Sequence, residues 1–153
     1  MTRQRQGLRR QVLRTQGGRT IGLLGGSFNP AHAGHRQIAE EALRRLDLDA
    51  VWWVVSPQNP LKSSSGMAPF TQRLEWARAV ARHPKMRVSN LEAKFGTKYT
   101  ADTLQRFRRR YPRDRFIWLM GADNLGQISN WAKWLRIFQH TPVAVFARAP
   151  YNF

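Results

Sequence analysis

A doubly wound α/β domain on a parallel five-stranded sheet is the fold class the sequence predicts, and three observations predict it. Five short apolar runs alternate with four amphipathic stretches between Ile21 and Phe146. The runs are continuous in apolar residues, as strands covered on both faces require; a half-exposed strand would alternate. The chain has 153 residues and 42% hydrophobic content. A chain of that size forms one domain and buries roughly 68–70% of the surface its unfolded form exposes. Right-handed crossovers then place helices on both faces of the sheet.

Taken in order, Ile21–Leu24 reads as the first buried strand. Over residues 34–46, Ile38, Ala39, Ala42, Leu43 and Leu46 share one helical face. Val51–Val55 is the second strand, and residues 70–82 form a helix with Leu74, Ala77 and Val80/Ala81 inward. Arg87–Leu91 is a weaker strand, followed by a helix over 100–110 around Leu104 and Phe107. Phe116–Met120 is a strong strand. Residues 130–139 read as a helix on which Trp131, Trp134, Leu135 and Phe138 cluster, and Val143–Phe146 is the last strand.

Charge and composition restrict the function. The net charge is +17, from 26 basic and nine acidic residues, a field that attracts polyanions, including phosphorylated small molecules. Residues 1–19 hold six arginines and no acid, and they read as a disordered basic extension ahead of a domain over 20–153. No apolar stretch follows those charges, so they are not a secretory signal. The mean hydropathy of −0.55 and the lack of an 18-residue apolar run argue against a membrane span. With no cysteine, a disulfide framework, a thiolate nucleophile and a Cys-based zinc site are all excluded.

In a doubly wound sheet, ligands bind outside the carboxyl ends of the strands. After the first strand comes Gly25-Gly26-Ser27-Phe28-Asn29-Pro30-Ala31-His32-Ala33-Gly34-His35. The glycines allow a tight turn and close backbone approach to a ligand. Pro30 biases Asn29 away from helix, so the helix begins near Ala33 or Gly34, and its free N–H groups favour a phosphate. Two imidazoles at that end add donors. The stretch is neither a GxSxG nucleophile elbow nor a Walker A loop. His32 and His35 could pair on a metal, but no nearby acid or cysteine supplies a third ligand, so no protein-held metal is expected. Further on, Trp131 and Trp134 at i, i+3 fit a core face as well as a ligand surface. Lys62 fits a solvated loop as well as a phosphate contact, and Asp123 fits a helix cap.

Four motifs carry a family resemblance. GGSFNPAHAGH resembles the (H/T)xGH signature of the nucleotidyltransferase superfamily, and its HxGH form is similar to that of the bacterial nicotinate-nucleotide adenylyltransferases. SPQNPLK at 56–62 resembles that family's P-x-x-P-x-K loop, and KYTADTL at 98–104 its (S/T)-Y-T-x-D-T-L segment. WLMGADNLGQISNWAKWLRIF at 118–138 resembles its GaD-x-L…F-x-x-W-x-x-W stretch, with Ile128 at the usual Phe position. The similarity runs from about Ile21 to Arg148.

The resemblance implies a Rossmann-like nucleotidyltransferase fold and adenylyl transfer from ATP to nicotinate mononucleotide in NAD biosynthesis. It implies that His32 and His35 bind the ATP phosphates, with His35 nearest the reacting phosphorus, in a cleft lined by Gly25, Gly26, Ser27, Phe28 and Gly34. Lys62 would reach phosphate oxygens, and Asn59 would join it on the mononucleotide. Thr100 would hold the nicotinate carboxylate, Trp131 would stack on the pyridine ring, and Asp123 would bond a ribose. Mg²⁺ would arrive with ATP, and the setting would be cytoplasmic. Members of the family continue to an (I/L)-S-S-T-x-(I/L)-R motif, whereas this chain ends at Arg-Ala-Pro-Tyr-Asn-Phe, so an incomplete ATP site is expected. Two other readings stand beside this one. They are a different adenylyl- or cytidylyltransferase of the superfamily, and a nucleic-acid module suggested by QRFRRR at 105–110, for which no RNA- or DNA-binding pattern appears.

Overall fold

Strand β1 (Thr20–Gly26) is hydrogen-bonded in parallel to β2 (Ala50–Val55) on one side and β4 (Arg115–Gly121) on the other. The computed structural model describes residues 18–57 and 66–147. Within them, β3 (Met86–Ser89) and β5 (Val143–Phe146) complete a parallel sheet of order β3-β2-β1-β4-β5. The predicted doubly wound fold is the observed one. Asn59, Lys62, most of the basic extension and the last six residues lie outside the described residues.

Two cores follow from side-chain alternation. Leu24, Val51, Trp53, Val55 and Leu119 pack beneath α1 (Ala33–Arg45) and α2 (Phe70–Val80) through Ile38, Ala42, Leu74 and Ala77. Ile21, Leu23, Trp52, Val54, Phe116 and Met120 face the opposite way and meet Leu104, Phe107 and Ile137. Those belong to α4 (Thr100–Arg110) and α6 (Trp134–His140). Helices cover one face while the chain winds from β1 to β3, and the other while it winds back to β5, as a single crossover handedness demands.

The expected elements shift at several places. β1 extends through Gly25 and Gly26, and Leu91 leaves the third strand to open a short helix, α3 (Leu91–Phe95). The helix predicted over 130–139 is interrupted. A short α5 (Ala122–Leu125) and a 3₁₀ turn at Ile128–Asn130 lead to an extended Trp131 and a left-handed Lys133 with φ 61°, and α6 starts at Trp134. The break rotates the inward face, so Ile137 is buried while Leu135 and Phe138 are exposed. Phe138 still meets the Trp134 ring edge-on, with centroids 6.1 Å apart, but neither Leu135 nor Phe138 enters the core. Trp131 and Trp134 still rest partly buried on the second core.

Gly18 and Arg19, read as part of the basic extension, belong to the folded unit. Asp114, whose side chain is 6% exposed, accepts the Arg19 main-chain N–H at 3.0 Å and its guanidinium at 2.8 Å. Arg115 N then bonds Arg19 O, which sets the start of β1 against β4. The exposed arginine limits what the ion pair itself contributes, so the main-chain bond matters more. Asp114→Ala leaves that N–H without its acceptor and is expected to lower the unfolding free energy by about 1–3 kcal/mol. Urea denaturation measures this, and an unchanged midpoint refutes it.

Candidate active site

The sheet order places the topological switch between β1 and β4, where the crossovers depart in opposite directions and leave a crevice above the carboxyl ends. The corner after β1 opens into it. Phe28 is 1% exposed and adopts a left-handed φ of 50°. Its ring stacks 5.5 Å from Trp53 and lies 4.8 Å from His35. The Asn29–Pro30 peptide is cis, and the Asn29 amide bonds Gly66 O at 2.9 Å and accepts Ala68 N–H at 3.0 Å.

Helix α1 then starts on a reciprocal cap. Gly34 N donates to His32 Nδ1 at 3.1 Å, while His32 N donates to His35 Nδ1 at 3.1 Å. The two rings sit 3.9 Å apart. This is the geometry of a capping box, with histidines where Ser/Thr and Glu/Gln usually stand. Its chemical consequence is a defined tautomer. With Nδ1 of each ring accepting, a neutral imidazole carries its proton on Nε2, which is then a donor. His32, Gly34 and His35 are thus gathered with Gly26, Ser27 and Phe28 around one helix N-terminus.

Gly25 stands slightly apart from that group. A Cβ at Gly25 would overlap the indole of Trp118, so the residue is needed for packing on the second face. The Trp118 indole is itself buried and covers the strand where it leaves the sheet.

Thr100, Asp123 and Trp131 belong to elements of the second half of the chain. Thr100 is the first residue of α4, and Asp123 is exposed in the first turn of α5, directly after β4. Trp131 is brought toward α4 by a contact the sequence did not signal. Lys133 Nζ bonds both Asp102 carboxylate oxygens at 3.0 and 3.1 Å and lies 5.7 Å from the Tyr99 ring centroid.

A second missed residue lies in α3. Glu92 is 8% exposed and lies within hydrogen-bond distance of the Thr103 hydroxyl, at 3.2 Å. That hydroxyl has one proton, shared between Glu92 and Tyr99 O at 3.2 Å each, and it also meets Thr97 at 2.7 Å. Burial pushes the Glu92 carboxyl above its ordinary range, and the neighbouring Ser56 and Thr103 hydroxyls only partly oppose this. Neither Glu92 nor its partners form a recognisable spacing, so sequence reasoning had no signal for them.

Comparison with known proteins follows the same lines. The cytidylyltransferase-like family model matches residues 23–152. The chain is 56% identical over 131 residues to a protein of Parvibaculum lavamentivorans named probable nicotinate-nucleotide adenylyltransferase, covering 86% of this chain and 65% of the relative. A protein of the same name from Ruegeria pomeroyi is 54% identical over 131 residues, covering 86% and 61%. The chain thus spans less than two thirds of the length of these relatives. Among solved structures, Plasmodium falciparum nicotinic acid mononucleotide adenylyltransferase complexed with NaAD superposes with a TM-score of 0.76 at 18% identity, covering 88% of this chain and 67% of that one. This likeness is one of fold. Among the described residues no helix is long and apolar enough to cross a membrane.

Two outcomes are expected from this geometry. Gly25→Ala overpacks the strand against Trp118 and costs about 1–3 kcal/mol by urea unfolding. Trp118→Leu costs less in that background than in the parent, and strict additivity of the two would count against the contact. Glu92 binds its proton more tightly folded than unfolded. Its stabilising contribution is therefore complete below the unfolded carboxyl pKa and is lost as pH rises through the folded one. Glu92→Gln removes that loss, so its Tm advantage over the parent should widen from about pH 4 to pH 8. A difference that stays constant across this range refutes the assignment.

Proposed function

The chain belongs to the cytidylyltransferase-like family, and from that premise we propose that it transfers the adenylyl group of ATP to nicotinate mononucleotide, giving nicotinate adenine dinucleotide and pyrophosphate. One observation carries the reading: the reciprocally capped His32–His35 pair at the N-terminus of α1, opening into the switch-point crevice. The names of the relatives, at 54–56% identity, supply the substrates.

In this reading the triphosphate lies over the start of α1. The mononucleotide's 5′-phosphate oxygen attacks the α-phosphorus, the bond to the bridging oxygen of the β-phosphate breaks, and pyrophosphate leaves. A phosphate dianion is already a competent nucleophile, so no general base is required. The chain's task is alignment and stabilisation of charge on the non-bridging oxygens. The Nε2–H of His35 donates to the reacting phosphate and that of His32 to the neighbouring one. Main-chain N–H groups at the start of α1 add a positive dipole end. Lys62, which follows β2 in the sequence, is assigned a phosphate contact. Mg²⁺ enters with ATP, held mainly by phosphate oxygens.

The acceptor occupies the α4 side. Thr100 meets the nicotinate carboxylate with the first turn of α4, Trp131 stacks on the pyridine ring, Asp123 bonds a ribose hydroxyl, and Asn59 belongs to the same set. A carboxylate at a helix N-terminus is favoured by the dipole, which supports nicotinate over nicotinamide. The reaction is assigned to the cytoplasm.

His35→Ala removes one preorganised donor at the developing charge. It is expected to lower kcat by roughly 10²–10³-fold with folding intact. The check is dinucleotide formation from ATP, Mg²⁺ and nicotinate mononucleotide, with CTP and nicotinamide mononucleotide run in parallel. Parental turnover by His35→Ala would remove His35 from its role, and preference for CTP or another acceptor would redirect the assignment within the family.

A further inference from the structure

Arg73 lies in the first turns of α2 and is 1% exposed. Its guanidinium makes four hydrogen bonds, and among the described residues every partner is a main-chain carbonyl. Nε donates to Ala68 O at 2.9 Å, and Nη1 to Ser27 O at 2.9 Å and Ser56 O at 2.6 Å. Nη2 donates to Pro57 O at 2.6 Å. The group also lies 5.5 Å from the Phe70 ring centroid. One buried cation thus binds the corner after β1, the end of β2 and the entry to α2 at once.

The location gives these bonds a use beyond cohesion. At their carboxyl ends, parallel strands turn carbonyl oxygens outward, the wrong polarity for a triphosphate. Three of the four carbonyls held by Arg73, those of Ser27, Ser56 and Pro57, follow β1 or β2 directly. Drawn onto the guanidinium, they point into the protein, and the Ser27 peptide is oriented just before Phe28 and the histidine cap. A lysine gathers its donors on one nitrogen and cannot span four carbonyls in this way.

We propose that Arg73 is a positioning residue for nucleotide binding, setting the Ser27–His35 corner against the end of β2 so that its donors face the triphosphate. The proposal rests on the adenylyl-transfer reading and names a residue that acts through the backbone, without touching substrate.

The test compares Arg73→Lys and Arg73→Gln with Leu74→Ala, a neighbour on the same helix that packs in the core. Tm, MgATP affinity by calorimetry and dinucleotide kinetics are measured on the 153-residue chain. Both Arg73 variants should fold, bind MgATP about tenfold more weakly and lose roughly 10²-fold in kcat/KM, the scale of an ångström-level misplacement. KM for the mononucleotide should change less than MgATP affinity, since none of the Arg73 bonds among the described residues reaches Thr100, Asp123 or Trp131. Leu74→Ala should lower Tm without a comparable loss of MgATP affinity.

Parental MgATP affinity and kcat/KM in Arg73→Gln overturn the proposal. So does an equal loss of affinity in Leu74→Ala, or failure of both Arg73 variants to fold, because the arginine would then serve stability alone. A parent chain that binds MgATP yet makes no dinucleotide overturns the acceptor assignment and leaves the affinity arm to judge Arg73. A parent chain that binds no MgATP overturns both.

Discussion

The central placement of β1 is the constraint on which the site depends. The strand is paired on both edges and packed on both faces, so the chain can leave it only at the carboxyl edge of the sheet, through Gly25 and Gly26. The same placement makes β1 the point from which crossovers depart in two directions. Helices α1 and α2 therefore cover one face and α4 and α6 the other, and neither pair closes over the end of β1. The crevice is a result of topology, and the corner that enters it is the shortest route from the strand to α1.

Main-chain polar groups at such an edge need partners, and the structure assigns them by sign. The N–H groups of Gly34 and His32 go to imidazole nitrogens, so a neutral ring carries its proton on Nε2. The carbonyls after β1 and β2 go to Arg73, and the loop entering α2 is held by the Asn29 amide. Ser56 belongs to this set: its N–H bonds Gly26 O and its carbonyl accepts from Arg73. On the other face, Glu92 and Tyr99 O share the Thr103 hydroxyl at the threshold of α4. Arg73 and Glu92 stand behind these segments, in a low-dielectric interior where satisfied polar networks rigidify the backbone.

The far half-site illustrates how a local break serves placement. A continuous helix over 130–139 would have carried Trp131 around with Trp134. The left-handed Lys133 ends that continuity, and its ammonium turns toward Asp102 and the Tyr99 ring. The pair is partly exposed, so its direct contribution to stability is modest. It does hold the Trp131 segment beside the first turn of α4, where Thr100 stands.

What the sequence by itself determined is local. Continuous apolar runs such as Val51–Val55 and Phe116–Met120 identified strands covered on both faces, and the 3.6-residue spacing of Ile38, Ala39 and Ala42 identified the helix after the corner. Glycines, Pro30 and two histidines marked the turn from the first strand into that helix. The order of the strands, the break at Lys133 and the use of Arg73 and Glu92 were decided by the tertiary structure. An apolar run reads alike in a central or a flanking strand, and the spacing of Trp131, Trp134, Leu135 and Phe138 suits a helix that the chain does not complete. An arginine in a helix and a glutamate after a strand look like surface residues until loops distant in sequence arrive beside them. Periodicity records which side of an element is buried, whereas the partners of a buried charge depend on which other segments the topology brings within hydrogen-bond reach.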